Sequence, residues 1–185
     1  MIDEIMANLK EKMKKTLEVL QEDLSSIKMG KANPNILNKV EVDYYGTMTK
    51  VSQLCNISTP EFRVIMLQPW EKNLLKDIEK AILKSDLGLI PNNDGTCIRL
   101  IIPEMTEETR KNTVKKVKKI GEDSKVAIRS IRRDSNDKVK ALKKDKLMAE
   151  DEIKKAENEI QKLVDQFIKN IDDIINKKEK EIMSI

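Results

Sequence analysis

Residues 106–146 read TEETRKNTVKKVKKIGEDSKVAIRSIRRDSNDKVKALKKDK, without a single proline. Val114, Val117, Gly121, Ser124, Ile128, Ile131, Ser135, Val139 and Leu142 recur there at steps of three and four, the spacing that lines one side of a helix. Thr106, followed by Glu107 and Glu108 just after Pro103, is a sound helix start, with acidic residues at the positive end of the dipole. At ~1.5 Å per residue such a helix is roughly 60 Å long. An apolar stripe along so long a rod has to meet partner rods.

Two partners are legible on either side. Ile2, Met6, Leu9, Met13, Leu17, Leu20, Leu24 and Ile27 step the same way, as do Ile153, Ala156, Ile160, Leu163, Phe167, Ile171, Ile174, Lys178 and Ile182. Three such rods satisfy one another in an elongated three-helix bundle. Gly121 and Ser124 lower helix propensity within the seam, and their use there is close approach of a neighbouring rod. The run KALKKDKLMAEDE holds no Gly or Pro, so the turn between the second and third rods is tight and falls near Met148.

From Asn33-Pro34 to Pro103 the period changes. VEVDYY, TMTKV, FRVIML and TCIRLII read as strands, with turns at Gly46 and at Pro91-Asn92-Asn93-Asp94-Gly95, because β-branched and aromatic residues gather between turn formers. A helical segment spans roughly Asn73 to Ser85. The expected fold class is therefore α+β: a bundle of residues 1–30 and 105–185, with a small β/α/β domain of residues 31–104 inserted after the first helix. An insertion leaves and returns at adjacent points, here through Gly30-Lys31-Ala32-Asn33-Pro34 and Pro103-Glu104-Met105. Gly30, Pro34 and Pro103 mark these paired linkers as a hinge.

Composition removes several function classes. Of 185 residues 37% are charged and 39% hydrophobic, and none is His, which takes away the commonest general base and metal ligand. No metal or cofactor is expected. Cys55 and Cys97 stand far apart in apolar stretches, as small core residues of a cytoplasmic protein do. The N-terminus MIDEIMANLK is acidic where a signal peptide is basic, and no window approaches eighteen uninterrupted apolar residues. No P-loop or G-x-G-x-x-G is present, so an enzyme is the weaker reading.

Charge is the informative quantity. The chain carries +4, yet the second rod alone carries +8; the first carries −1, the third −3, and residues 31–105 are neutral. In a rod that otherwise uses Lys almost throughout, Arg129, Arg132 and Arg133 stand at i, i+3 and i+4, which groups them on one face. Lys125, Asn136 and Lys140 extend it. Arginine's planar fork suits phosphates and base edges. The bundle keeps only Phe167 among the five aromatics, so contacts to the phosphates, sugars and shape of a structured RNA fit better than stacking of splayed bases. A helical scaffold, the remaining alternative, has no reason to concentrate arginines on one face of the middle rod.

These residues are also recognisable. Val126-Ala127-Ile128-Arg129-Ser130-Ile131-Arg132-Arg133-Asp134-Ser135-Asn136-Asp137-Lys138 resembles the signature of bacterial ribosome recycling factors. Val42-Asp43-Tyr44-Tyr45-Gly46-Thr47, Lys80-Ala81-Ile82 with Ser85-Asp86-Leu87-Gly88-Leu89, Ile98-Arg99 and Pro103-x-x-Thr106-Glu107-Glu108-x-Arg110 are similar to further family motifs, in order over essentially the whole chain. The resemblance implies a monomeric, L-shaped factor that binds the post-termination ribosome. With elongation factor G and that partner's GTP hydrolysis, such a factor splits the ribosome into subunits and releases it from mRNA. It implies that Arg110, Arg129, Arg132 and Arg133 contact large-subunit ribosomal RNA. The family's R-x-G-R-A-x-P becomes Lys28-Met29-Gly30-Lys31-Ala32-Asn33-Pro34 here, so Lys28 and Lys31 keep charge for phosphate contacts and lose the bidentate fork.

Overall fold

The computed structural model describes residues 1–185. Three long helices dominate it: α1 (Ile2–Ser25), α3 (Glu107–Lys144) and α4 (Glu150–Met183). Between α1 and α3 the chain forms β1 (Glu41–Tyr44), β2 (Thr47–Lys50), β3 (Cys55–Glu61), β4 (Val64–Pro69), α2 (Leu75–Lys84), β5 (Pro91–Asn93) and β6 (Ile98–Ile101). The chain divides into two compact units, Met1–Leu24 with Asn112–Ser184, and Ser25–Lys111 with Ile185. The boundaries expected at 30/31 and 104/105 thus lie inside the second unit.

In the helical unit the seam of α1 is Leu9, Met13, Leu20 and Leu24, all buried. That helix ends at Ser25, one step short of Ile27. Along α3, Val117, Gly121, Ile128, Ser135 and Val139 are buried, while Ile131 is only half-buried. On α4 the sequence places Leu163 and Ile174 in the seam; the structure seats Val164 and Ile175 there, and Leu163 and Ile174 are half-buried. The run Ile160, Val164, Phe167, Ile171, Ile175 follows steps of 4, 3, 4, 4, which two adjacent apolar residues left open in the sequence. A Cβ on Gly121 would stand 2.7 Å from Ile175 Cγ1, so the glycine permits the contact between α3 and α4.

The turn joining α3 to α4 is a Schellman motif. The Leu147 N–H reaches the Leu142 carbonyl and the Lys146 N–H the Lys143 carbonyl, each at 3.0 Å, with Lys146 at φ +56°. At the start of α4, Glu152 Oε2 accepts the Ala149 N–H at 3.2 Å. Ala149 has no oxygen with which to reciprocate, so half of a capping box is filled.

The second unit holds a four-stranded antiparallel sheet of order β3-β4-β6-β5 and a separate β1–β2 hairpin. Two strands differ from the sequence reading. β3 carries Asn56, Ser58 and Pro60, which weaken the apolar alternation, and β5 occupies the Pro91-Asn92-Asn93 stretch expected as part of a turn. Pro91 fits because β5 is an edge strand. Ile65, Leu67, Ile98 and Leu100 from the sheet pack with Ile78 and Ile82 of α2 and with Ile36, Leu37 and Val42 in one core. Both crossings to the helical unit are tied to one turn. The Ala32 N–H donates to the Phe62 carbonyl at 2.8 Å, the Ile102 N–H donates to the Arg63 carbonyl at 2.7 Å, and Arg63 pairs with Glu104 at 2.7 Å.

Candidate nucleic-acid interface

The basic helix begins as its sequence dictates. Thr106 Oγ1 accepts the Thr109 N–H at 3.1 Å, and the Thr106 carbonyl accepts the Arg110 N–H at 2.9 Å. From there the stepping turns two kinds of basic residue in different directions. Lys118 faces Glu179 at 4.0 Å, Lys125 meets Asp172 Oδ1 at 2.5 Å, and Arg132 Nη1 donates to Gln161 Oε1 at 3.2 Å. Gln161 Nε2 in turn donates to Asp165 Oδ1 at 2.7 Å. Positions 118, 125 and 132 of α3 advance by seven while 179, 172 and 165 of α4 retreat by seven, the flanking ladder of a coiled-coil pair. The bond to Asp172 is the largest cause raising the Lys125 ammonium pKa, and Glu122 at 3.2 Å adds to it.

The arginine cluster is therefore not uniform. Arg132 is half-buried and held by α4, whereas Arg129 and Arg133 are exposed and make no hydrogen bond or ion pair within the chain. Lys140 is exposed one turn beyond Asn136, whose Oδ1 is buried without a partner. Lys125, placed with the cluster on sequence grounds, belongs to the ladder. The seven-residue spacing of opposite charges on the two helices is the sequence signal for that ladder.

The remaining candidates lie in the second unit. Arg110 is half-buried, with Nε out of contact with solvent and unpartnered. Lys31 is exposed, and Lys28 is half-buried at the rim of a cavity. Gly30 has φ +69°, and its Cα faces Met105 so closely that a Cβ would lie 3.0 Å from Met105 Cγ. Pro34 opens a 3₁₀ turn over Pro34–Leu37 in which Asn33 Oδ1 accepts the Asn35 N–H. Pro103 is exposed.

Chemistry-bearing side chains elsewhere are engaged in structure. Cys55 is buried, its Sγ 3.0 Å from the Val51 carbonyl, and burial pushes its thiol up to about 11. Cys97 is buried against Asp94. No group of three or more His, Cys, Asp or Glu stands ready for a metal ion, and no helix is long and apolar enough to cross a membrane.

Comparison with known proteins agrees over the whole length. Residues 20–183 match the family model described as ribosome recycling factor. The chain is 68% identical to the ribosome-recycling factor of Clostridium botulinum (strain Eklund 17B / Type B) and 63% identical to that of Clostridium acetobutylicum, covering 100% of both chains in each case. The solution structure of a ribosome recycling factor superposes with a TM-score of 0.82 at 34% identity, over 100% of this chain and 98% of that one. A second match, TM-score 0.66 at 44% identity and 98% coverage of each chain, is the T. thermophilus ribosome recycling factor. It is described with E. coli elongation factor G bound to the E. coli post-termination complex.

Proposed function

The chain belongs to the ribosome recycling factor family, and from that membership we propose how its own residues serve ribosome recycling. It binds the post-termination ribosome and, with elongation factor G and GTP, promotes separation of the subunits and release of mRNA. It acts in the cytoplasm as a monomeric binding factor with no chemistry of its own. The lack of His and the burial of both cysteines support that reading.

One observation carries the assignment of the RNA-facing surface. On the only strongly basic helix, the cations split into those engaged by α4 and those left exposed, and Arg129 and Arg133 are exposed without partners. They are the primary contacts to large-subunit ribosomal RNA, with Arg110, Lys28 and Lys31 as further contacts. Arg132 holds Gln161 through Nη1 and keeps its other guanidinium N–H groups for RNA. The hinge of the factor is placed at Gly30, Pro34 and Pro103, the paired linkers between the expected bundle of residues 1–30 and 105–185 and the expected insertion of residues 31–104, while the compact units themselves divide at Leu24/Ser25 and Lys111/Asn112. The exposed aromatics of the inserted part, Tyr45, Phe62 and Trp70, suit a protein partner better than the bundle does.

Ribosome co-sedimentation across a salt series tests the surface. Arg129→Ala and Arg133→Ala are expected each to cost about 1–3 kcal/mol where the arginine reaches a base edge, or to lower the log–log salt slope by about one where it meets a phosphate. Lys116→Ala is the control. Equal behaviour of all three variants would make the helix a diffuse field and remove the assignment.

A further inference from the structure

The ladder between α3 and α4 changes character at its third rung. At the first two, a lysine of α3 meets a carboxylate of α4: Lys118 faces Glu179 at 4.0 Å and Lys125 meets Asp172 at 2.5 Å. The same seven-residue steps bring Arg132 opposite Asp165. Yet these two form no ion pair. Gln161, one turn before Asp165 on α4, bridges them instead. Its Nε2 donates to Asp165 Oδ1 at 2.7 Å, and its Oε1 accepts from Arg132 Nη1 at 3.2 Å.

The bridge can run in only one direction. An ionised carboxylate accepts hydrogen bonds and donates none, so Asp165 claims the amide nitrogen of Gln161. The amide must then turn its oxygen to Arg132. For the arginine the difference between the two acceptors is large. A direct pair with Asp165 would offset its charge and, in the bidentate geometry that guanidinium and carboxylate favour, occupy one edge of the fork. With the neutral amide interposed, Arg132 is held through one nitrogen, has no counter-ion, and keeps its other N–H groups. Arg132 is half-buried, and Gln161 and Asp165 are exposed, so the bridge lies where a large ligand can reach it.

We propose that Gln161 is a positioning residue for RNA binding: it diverts Asp165 and fixes the Arg132 guanidinium without neutralising it. The inference deepens the reading of Arg132 as an RNA contact and rests on it.

Ribosome co-sedimentation of full-length variants is the test. Leucine has nearly the size and helix propensity of glutamine but no acceptor. Gln161→Leu therefore frees Asp165 to take Arg132, as Asp172 takes Lys125. Binding is expected to weaken about two- to tenfold, the cost of ordering or releasing one long charged side chain. Two readouts separate positioning from a structural role. In an Arg132→Ala background, Gln161→Leu should make no further difference to binding. Asp165→Asn should raise the binding of the Gln161→Leu variant at least about twofold more than it raises that of the parent, because only there does the carboxylate compete for the arginine. Parental binding by Gln161→Leu overturns the inference. So does a loss that persists in full without Arg132, or an Asp165→Asn effect equal in both backgrounds. A loss with Arg132→Ala and none with Gln161→Leu overturns the positioning alone; unchanged binding with Arg132→Ala overturns the RNA contact at Arg132 and the positioning with it.

Discussion

Asp94 shows how one carboxylate can hold a loop. Its Oδ1 accepts the backbone N–H groups of Cys97 and Thr96 and the Thr96 hydroxyl at 2.8–2.9 Å, and Oδ2 faces Cys97 Sγ at 3.2 Å. The Cys97 N–H is the largest of the causes that depress its pKa far below the ordinary aspartate value. A depressed folded-state pKa stabilises the fold above the unfolded value of about 3.9, and the contribution fades as pH falls from there toward the folded value. The urea midpoint should therefore decline below about pH 4, and Asp94→Asn should flatten that decline. At the α3–α4 turn the sequence departs from what the backbone asks for. Lys146→Gly relieves a left-handed lysine, and Ala149→Ser completes the cap of α4; each is expected to raise stability by about 0.5–1 kcal/mol in urea melts. Failure of both to raise the midpoint would show that the turn is not formed in solution.

Among the elements, α3 has two duties on two adjacent faces. The sequence made its length, cap and seam plain, because 3.6-residue periodicity and a net charge of +8 depend on no other part of the chain. The division of its cations was less legible. Whether Arg132 faces a partner helix or solvent depends on where Gln161 and Asp165 arrive, and that is a property of pairing. The same reasoning explains why Val164 displaced Leu163: two neighbouring apolar residues satisfy the pattern, and only the approach of the other rods selects one. Stability separates the two duties. Arg132→Ala should lower the unfolding free energy by about 0.5–1.5 kcal/mol through loss of its cross-helix bond, whereas Arg129→Ala should leave it within about 0.5 kcal/mol. If Arg129→Ala destabilises as much as Arg132→Ala, the exposed face is also structural.

At the scale of the molecule, the buried seams of α1, α3 and α4 are supplied by the helices themselves. Replacing residues 31–104 by a short Gly/Ser linker should accordingly leave a helical protein with a cooperative thermal transition by circular dichroism. A non-cooperative melt would show that the bundle depends on the insertion. Of that insertion the sequence disclosed most strands and the helix, but not β3 or β5, since Asn56, Pro60 and Pro91 are poor strand formers that only their neighbours in the sheet redeem.

The turn at Phe62–Arg63 has one more consequence, for the rate at which the chain folds. By binding Ala32 and Ile102 at adjacent carbonyls, it closes seventy residues of sequence into a loop whose ends meet. Joining α1 to α3 in an unfolded chain means closing a long loop, whose entropic cost rises with the logarithm of its length. Once the sheet has formed, the effective loop is only the few residues on either side of that turn. The insertion thus acts as a contact-order shortener: where it folds first, helices remote in sequence become neighbours in kinetic terms. Breaking the Arg63–Glu104 pair with Arg63→Ala should slow refolding of the helical unit while leaving its unfolding rate nearly unchanged, the signature in stopped-flow chevrons of an interaction already formed at the barrier.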